Sequence, residues 1–346
     1  MNKEVNSYTF NEISEEEYDY KIKLYPTYEF EASSYFKIYE QNQKDRKIFG
    51  YFEFSMGGEY RSILCLREYR AKKMNFLWAR SAPVWNKKPS RDVEEIFIKQ
   101  LEKFVRNKSN YFDYIRLRIY HDYDFAKKEN VVLSYDKTVV IKLGENLDDT
   151  YSKIYKRGRR DLRKAIREAK FRVNDESNIS RKDFSDVYKI MEDTKKRHDG
   201  FDILSEENYW KFFNSLNDKK SSGYSKLFTV RDENNDVLSW AIVIVYDDFA
   251  TYYFAASNKK GQQNFGPDLI IAHILDYLQN ETKVRSLDLM GIGSEYHPSL
   301  KSLNTFKTKF SKDIIDVPIY KEIVIHKSSY YTKLFLSKAK NKFIKM

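Results

Sequence analysis

Twice along this chain a run of short strands gives way to a loop, an amphipathic helix and one further strand, and that recurrence limits the fold more than any other feature. In the first half, residues 47–56, 60–68 and 74–80 are rich in aromatic and β-branched side chains, which predicts strands. The linker SAPVWNKKPS then leads to a helix beginning near Ser90. Asp92, Glu94 and Glu95 stand in its first turn, where carboxylates suit the positive end of the helix dipole, and Val93, Phe97, Leu101 and Phe104 recur at helical spacing. A strand over 114–119 completes the set. The second half repeats the order with strands at 226–230, 237–245 and 249–256. The loop SNKKGQQNFGPD opens a helix with Pro267 in its first turn and Leu269, Ile270, Ile274, Leu275 and Leu278 on its apolar side, and a strand over 286–290 follows. This predicts an α/β (α+β) chain built from a duplicated module, in which the strand after each helix returns to its own mixed sheet. At 346 residues the chain is long enough for two domains.

After the second module, Lys283 to Phe310 forms a stretch of its own. A short strand breaks at Gly291-Ile292-Gly293, where glycine frees the backbone for turns. Leu300, Leu303, Phe306 and Phe310 then recur at helix-like intervals with Lys307 and Lys309 between them. Between the halves, Asp149 to Arg172 is the most charged segment. Ile154, Leu162, Ala165, Ile166 and Ala169 make one apolar face, and Lys156, Arg157, Arg159, Arg160, Arg163, Lys164 and Arg167 cover the rest, with Gly158 expected to bend the helix in mid-course. From Lys156 onward only Asp161 and Glu168 oppose that charge, so pairing four residues apart cannot neutralise it, and a phosphate backbone is the partner predicted. Phe184, Val187, Tyr188 and Met191, then Tyr209, Trp210 and Phe213, predict two more helices around Arg197-His198. After Lys327 the only charges are basic (Lys333, Lys338, Lys340, Lys342, Lys345), set among Tyr330, Tyr331, Leu334, Phe335, Leu336 and Phe343. They predict a packing helix whose far side meets an anionic surface.

Several chemistries are excluded. The single cysteine, Cys65, lies in an apolar run and reads as core, so disulfide and Cys-rich zinc sites are ruled out. His121, His198, His273, His297 and His326 are scattered, and no HExxH, Walker A, GxSxG or CxxC pattern occurs; no metal or cofactor is expected. The first residues lack a signal-peptide core and no apolar run approaches ~18 residues, which predicts a cytoplasmic monomer, peripheral at most to the inner membrane face. A net charge of +11 favours anionic partners. Group transfer, in which positioning and electrostatics replace a side-chain nucleophile, remains.

Leu287-Asp288-Leu289-Met290-Gly291-Ile292, followed by Phe306-Lys307-Thr308-Lys309-Phe310, resembles the C-terminal signature of the Fem-type transferases. These have two GNAT-like domains and use aminoacyl-tRNA to build peptidoglycan interpeptide bridges. The basic helix is similar to that family's Arg-rich segment. Lys196-Arg197-His198-Asp199-Gly200 with Tyr209-Trp210 resembles its Arg-His-Gly stretch, and Trp78 to Pro83 occupies the place of a small-residue turn. The resemblance implies GNAT-like domains over 1–145, with 325–346 packing back on the first, and over 146–324. It also implies a role for Lys37 on the phosphates of a nucleotide-linked muropeptide, for Tyr252 in lining the peptide channel, and for Lys307 near the transfer site. Lys156, Arg157, Arg159, Arg160, Arg163, Lys164 and Arg167 would meet tRNA. Lys309, two positions beyond Lys307, should point to a different helical face and be dispensable. Tyr120 and Ser205 depart from the family pattern, which has an acid and an arginine there; the second bears on the acceptor. The acceptor is then a nucleotide- or lipid-linked muropeptide amine, with deprotonation assisted by the substrate. Two other classes stay open: an acyl-CoA-dependent enzyme acting on an envelope glycan or lipid, against which Gln263 to Asp268 is a degenerate and acidic loop, and a non-catalytic RNA-binding or envelope scaffold.

Overall fold

The structure is a computed structural model. It describes residues 7–43, 45–71, 73–128, 134–197, 203–217 and 223–344, and the side chains of 197 and 337–344 lie outside that description. The expectations for His198 to Gly200 and for Lys338, Lys340, Lys342, Phe343 and Lys345 fall on these undescribed parts.

The chain divides into two units, residues 1–134 with 318–346 and residues 135–317. The first opens with strand β1 (Tyr8–Ile13), helix α1 (Glu15–Lys21) and helix α2 (Phe36–Gln41). An antiparallel meander follows: β2 (Lys47–Met56), β3 (Tyr60–Ala71) and β4 (Met74–Trp78), with the short β5 (Val84–Trp85) beside β3. Helix α3 (Arg91–Lys108) starts where the sequence predicts, with the Ser90 side chain accepting from the Val93 amide and Asp92 and Glu94 in the first turn. Val93, Phe97, Ile98, Leu101 and Val105 are buried on its apolar face. Strand β6 (Tyr114–Ile119) then pairs parallel to β4, and β7 (Ala126–Lys128) lies further along the sheet.

The second unit begins with β8 (Lys137–Lys142), helix α4 (Leu147–Lys153), helix α5 (Lys156–Glu168) and the short β9 (Val173–Asp175). Helices α6 (Phe184–Arg197) and α7 (Glu206–Ser215) precede the meander β10 (Gly223–Arg231), β11 (Val237–Tyr246) and β12 (Phe249–Ser257). Short α8 (Lys259–Gln263) and long α9 (Gly266–Glu281) cross to β13 (Ser286–Gly291), which pairs parallel to β12; helix α10 (Lys301–Lys307) and β14 (Asp313–Asp316) complete the unit. The chain then returns through β15 (Ile319–Val324), antiparallel to β6, and ends in α11 (Lys327–Ile344).

Each sheet therefore holds a meander, a crossover helix and a parallel pair, in the orders β1-β2-β3-β4-β6-β15-β7 and β14-β8-β13-β12-β11-β10-β9. The duplicated mixed-sheet reading is what the structure has. Both boundaries move, however. Lys137–Lys142, placed by sequence at the end of the first domain, pairs with β13 and β14 in the second sheet. Ile319–Val324, placed in the second domain, pairs with β6 and β7 in the first. Both strands are short and flank charged loops, so nothing local assigns them to a sheet.

Strand β11 is buried along its whole length because helices cover both faces of its sheet, which is why it reads as an unbroken apolar run. Ala241, Val243 and Val245 pack with Ile270, Ile274 and Leu278 of α9. On the other face Trp240 meets Tyr209 of α7 at 6.4 Å between ring centres.

Candidate active site

Strands β12 and β13 pair over only three residues: Phe249 with Ser286, Ala250 with Leu287 and Thr251 with Asp288. Beyond them the parallel strands part, and irregularities on both explain why. Against β11 the register slips between Ile242, opposite Phe254, and Val243, opposite Tyr252, so Tyr253 is an extra residue. One extra residue reverses the alternation of side chains. Ala250 and Tyr252 pack in the core under α9, whereas Phe254 stacks edge-on to Tyr209 at 4.6 Å. On β13 the ladder to β8 slips between Asp288 and Gly291, and Met290 sits at φ 63°. Asp288 holds that kink: one carboxylate oxygen accepts from the Met290 amide at 2.7 Å and from the Thr138 hydroxyl.

The two glycines after the kink are required by contact. A Cβ on Gly291 would lie 2.4 Å from the Tyr135 ring, and one on Gly293 would lie 2.2 Å from the Lys301 backbone nitrogen. Helix α10 fastens this turn with residues spaced three apart, which share a face. Asn304 accepts from the Gly293 amide and donates to the Gly293 carbonyl, both at 2.8 Å; Lys307 donates from Nζ to the Gly291 carbonyl at 2.8 Å. Asn304 was not singled out from sequence, although its position one turn before Lys307 was visible there.

Lys307 is 9% exposed. Burial lowers its ammonium to about 8, and the nearby Asp288 carboxylate opposes the fall. Near neutral pH the group is mainly a cation, poised where β13 ends. Tyr252 lies on β12 just past the divergence, buried in the core, and burial together with the Asp268 carboxylate pushes its hydroxyl well above the usual range.

Lys309 overturns its sequence expectation. It is not on a solvated helical face, because α10 ends at Lys307 and the chain turns. Its side chain is 10% exposed and bridges two carboxylates, Asp268 at 2.5 Å and Asp161 at 3.3 Å. Asp268 stands in the first turn of α9, whose preceding residue Phe265 adopts the left-handed conformation at φ 60°. Burial raises the Asp268 carboxyl and Lys309 opposes that rise. The positive end of α9 thus already faces a carboxylate held by this chain's own lysine, and Pro267 supplies no amide hydrogen there.

Asp161 belongs to the basic helix, so Lys309 also ties α5 to this site. The expected bend at Gly158 is absent. The helical path breaks earlier, at Ile154 and Tyr155, between α4 and α5. Gly158 lies inside α5 because the backbone of Lys309 rests on it: a Cβ there would sit 2.1 Å from the Lys309 carbonyl oxygen. Leu162 and Ala165 are buried as expected, but Ile166 is 57% exposed and leaves the apolar face.

The basic residues of α5 do not behave alike. Arg159 is half-buried and donates to the carbonyls of Ser152 and Ile154, closing the end of α4. Arg160 pairs with Asp161, Arg167 and Lys164 with Glu168. Lys156, Arg157 and Arg163 are exposed and have no ion-pair partner among the described residues. Lys37 lies in the first unit, where it pairs with Glu15. Of the two departures from the family pattern, Ser205 has a local reason and the Tyr120 side chain has none in the structure. Ser205 caps α7 by accepting from the Asn208 amide at 3.3 Å, and the Tyr120 amide donates to the buried Glu94 carboxylate at 2.7 Å.

Residues 152–297 match the acetyltransferase (GNAT) domain family. Among solved structures, FemX is similar with 12% identity and a TM-score of 0.68 over 94% of this chain and 99% of that one. The chain has a tandem GNAT fold like that of FemX. A tandem GNAT protein from the clavulanic acid biosynthesis pathway is also similar, at 8% identity and a TM-score of 0.51 over 92% of this chain and 99% of that one. No curated protein matched in sequence. The matched GNAT segment contains Gly291, whose carbonyl accepts from Lys307 of α10, ten residues beyond the segment's end. Among the described residues no helix is long and apolar enough to cross a membrane, and no cluster of side chains is arranged to hold a metal ion.

Proposed function

We propose that this protein is an aminoacyltransferase that moves an amino acid from aminoacyl-tRNA to an amine of a muropeptide precursor, forming a peptide bond in cell-wall bridge synthesis. The observation that carries this reading over an acyl-CoA enzyme is the Asp268–Lys309 pair at the start of α9. In a CoA-dependent GNAT site a helix start takes the pyrophosphate through free amides; here an internal carboxylate sits in that field and repels a second anion. A donor whose charge is spread along a polynucleotide needs no such pocket. The exposed cations of α5, Lys156, Arg157 and Arg163, offer it a surface tied to the site through Asp161 and Lys309.

The acceptor amine, in its neutral form, attacks the carbonyl carbon of the ester joining the amino acid to the terminal ribose. A C–N bond forms and the carbonyl oxygen becomes an oxyanion. The ester C–O bond then breaks, and the ribose oxygen leaves as a hydroxyl with the proton lost by the amine. The ester is activated already, so alignment and charge stabilisation are the enzyme's share. Lys307 supplies the donor: its buried ammonium exchanges the Gly291 carbonyl for the developing oxyanion, an interaction worth ~3 to 4 kcal/mol in such sites. Tyr252 packs in the core of the second unit and Lys37 pairs with Glu15 in the first, so neither carries a step of this reaction. No resident cofactor enters.

The test is binding. Charged tRNA should raise the melting temperature with a steep loss of affinity in salt, while acetyl-CoA leaves it unchanged. A shift with acetyl-CoA and none with tRNA would reverse the assignment.

A further inference from the structure

Helix α11 is amphipathic in an unusual sense, since one face is pinned to the first unit and the opposite face is apolar yet uncovered. The pinned face is well accounted for. Tyr330 is 2% exposed and donates to Glu322 at 2.7 Å; Ser329 donates to Asp113 at 2.5 Å, and Lys333 pairs with both Asp113 oxygens at 2.9 Å. Leu334 packs against the cluster of Tyr69, Trp78, Tyr114 and Tyr320. On the outside stand Tyr331, Leu336 and Phe335. At 73%, Phe335 is the most exposed large apolar side chain among the described residues. Leaving such a ring in water forfeits its transfer free energy, so an exposed aromatic-aliphatic group on an ordered helix marks a surface that is covered in use.

Charge identifies what covers it. From Lys327 to the end the sequence has six lysines and no acid. Only Lys333 among the described ones is neutralised, and Lys327 is exposed. A second copy of this chain would set one lysine-rich helix against another. An RNA would use the rings for stacking but leave Leu336 without a partner. An anionic bilayer satisfies every feature together: rings and leucine enter the interface while the ammonium groups meet lipid phosphates. The helix lies on that surface, since no described helix has the length and hydropathy to span it. We infer that α11 docks the protein, through Tyr331, Phe335 and Leu336 and the flanking lysines, on an anionic phospholipid surface. This rests on exposure and charge alone and is independent of the transfer chemistry.

The experiment is co-sedimentation of the full chain with vesicles of mixed phosphatidylglycerol and phosphatidylcholine, and with vesicles of phosphatidylcholine alone. The intact protein should bind the mixed vesicles and lose binding on the neutral ones. Phe335→Ser should weaken binding about tenfold, and Lys338→Gln with Lys340→Gln and Lys342→Gln about a hundredfold, at unchanged melting temperature because Phe335 makes little buried contact. Equal binding to both vesicle types would overturn the inference. So would Phe335→Ser that leaves vesicle binding intact while lowering tRNA affinity, which would assign the face to RNA, or while abolishing self-association, which would assign it to a second copy.

Discussion

Replacing Lys307 by methionine separates a residue retained for chemistry from one retained for stability, because the structure gives the two effects opposite signs. The ammonium falls from its ordinary 10.5 to about 8 through burial, so holding the charge inside the folded protein costs ~3 kcal/mol at pH 7. Its hydrogen bond to the Gly291 carbonyl returns ~1 kcal/mol net. Methionine has a similar length and no charge, so Lys307→Met should stabilise the second unit by ~2 kcal/mol and raise its transition by ~4 to 8 °C. The cost of burying the charge is lost with rising pH in a defined window. Between about 8 and 10.5 the folded lysine is neutral while the unfolded one still holds its proton, so the unfolded state binds more protons and wild-type stability rises with pH. The advantage of the variant must therefore shrink across that window. Catalysis should move the other way: loss of the oxyanion donor predicts a ~100- to 1000-fold fall in single-turnover transfer with substrate affinity little changed. Wild-type transfer should decline above about pH 8 as the donor deprotonates, and this limb should be missing from the variant. Calorimetry of both proteins from pH 7 to 10, beside single-turnover rates, checks each part. A variant that melts earlier at pH 7, or a stability difference that stays constant with pH, would refute the reasoning.

Lys309→Met leaves the buried Asp268 carboxylate without its cation and should cost ~3 kcal/mol in urea unfolding; a loss under ~0.5 kcal/mol would return Lys309 to a dispensable surface position. Arg157→Glu combined with Arg163→Glu should weaken tRNA binding and reduce the slope of log affinity against log salt by ~2, as read by filter binding, with folding intact; an unchanged slope would make α5 a solvated face. Arg159→Ala, by contrast, should lower stability by ~1 kcal/mol through the Ser152 and Ile154 carbonyls, with the salt slope unaltered.

What could be read in the sequence was whatever local periodicity encodes. The Ser90 cap, the α3 stripe, the meanders and the glycine turn after β13 depend on residues near one another in the chain, and the structure has them where the pattern puts them. Lys137–Lys142 and Ile319–Val324 were misplaced because their sheets are chosen by partners more than a hundred residues away, Ser286 to Gly291 in one case and Tyr114 to Ile119 in the other. The site shows the same division. Lys307 was visible as a lysine returning beside a glycine turn, but its burial was not, and neither was the clamp by Asn304. Lys309 was misread for a related reason. Helical spacing gave it a face different from that of Lys307, and only the close approach of its backbone to Gly158, with Asp161 and Asp268 converging from two other helices, shows it to be enclosed. The tyrosine bulge that opens β12 from β13 has no sequence signature, since Tyr252, Tyr253 and Phe254 differ little in character while the register slip decides their faces.

The central claim is transfer from tRNA to a muropeptide amine. It is tested most directly by incubating the purified full chain with tRNA carrying a radiolabelled amino acid and a muropeptide precursor, offered in both soluble nucleotide-linked and lipid-linked forms. Label should appear in amide linkage to one of these acceptors, dependent on charged tRNA and reduced ~100-fold or more by Lys307→Met. Label that stays on tRNA with both acceptors across the amino acids, while acetyl-CoA supports acylation of an envelope amine, would contradict it.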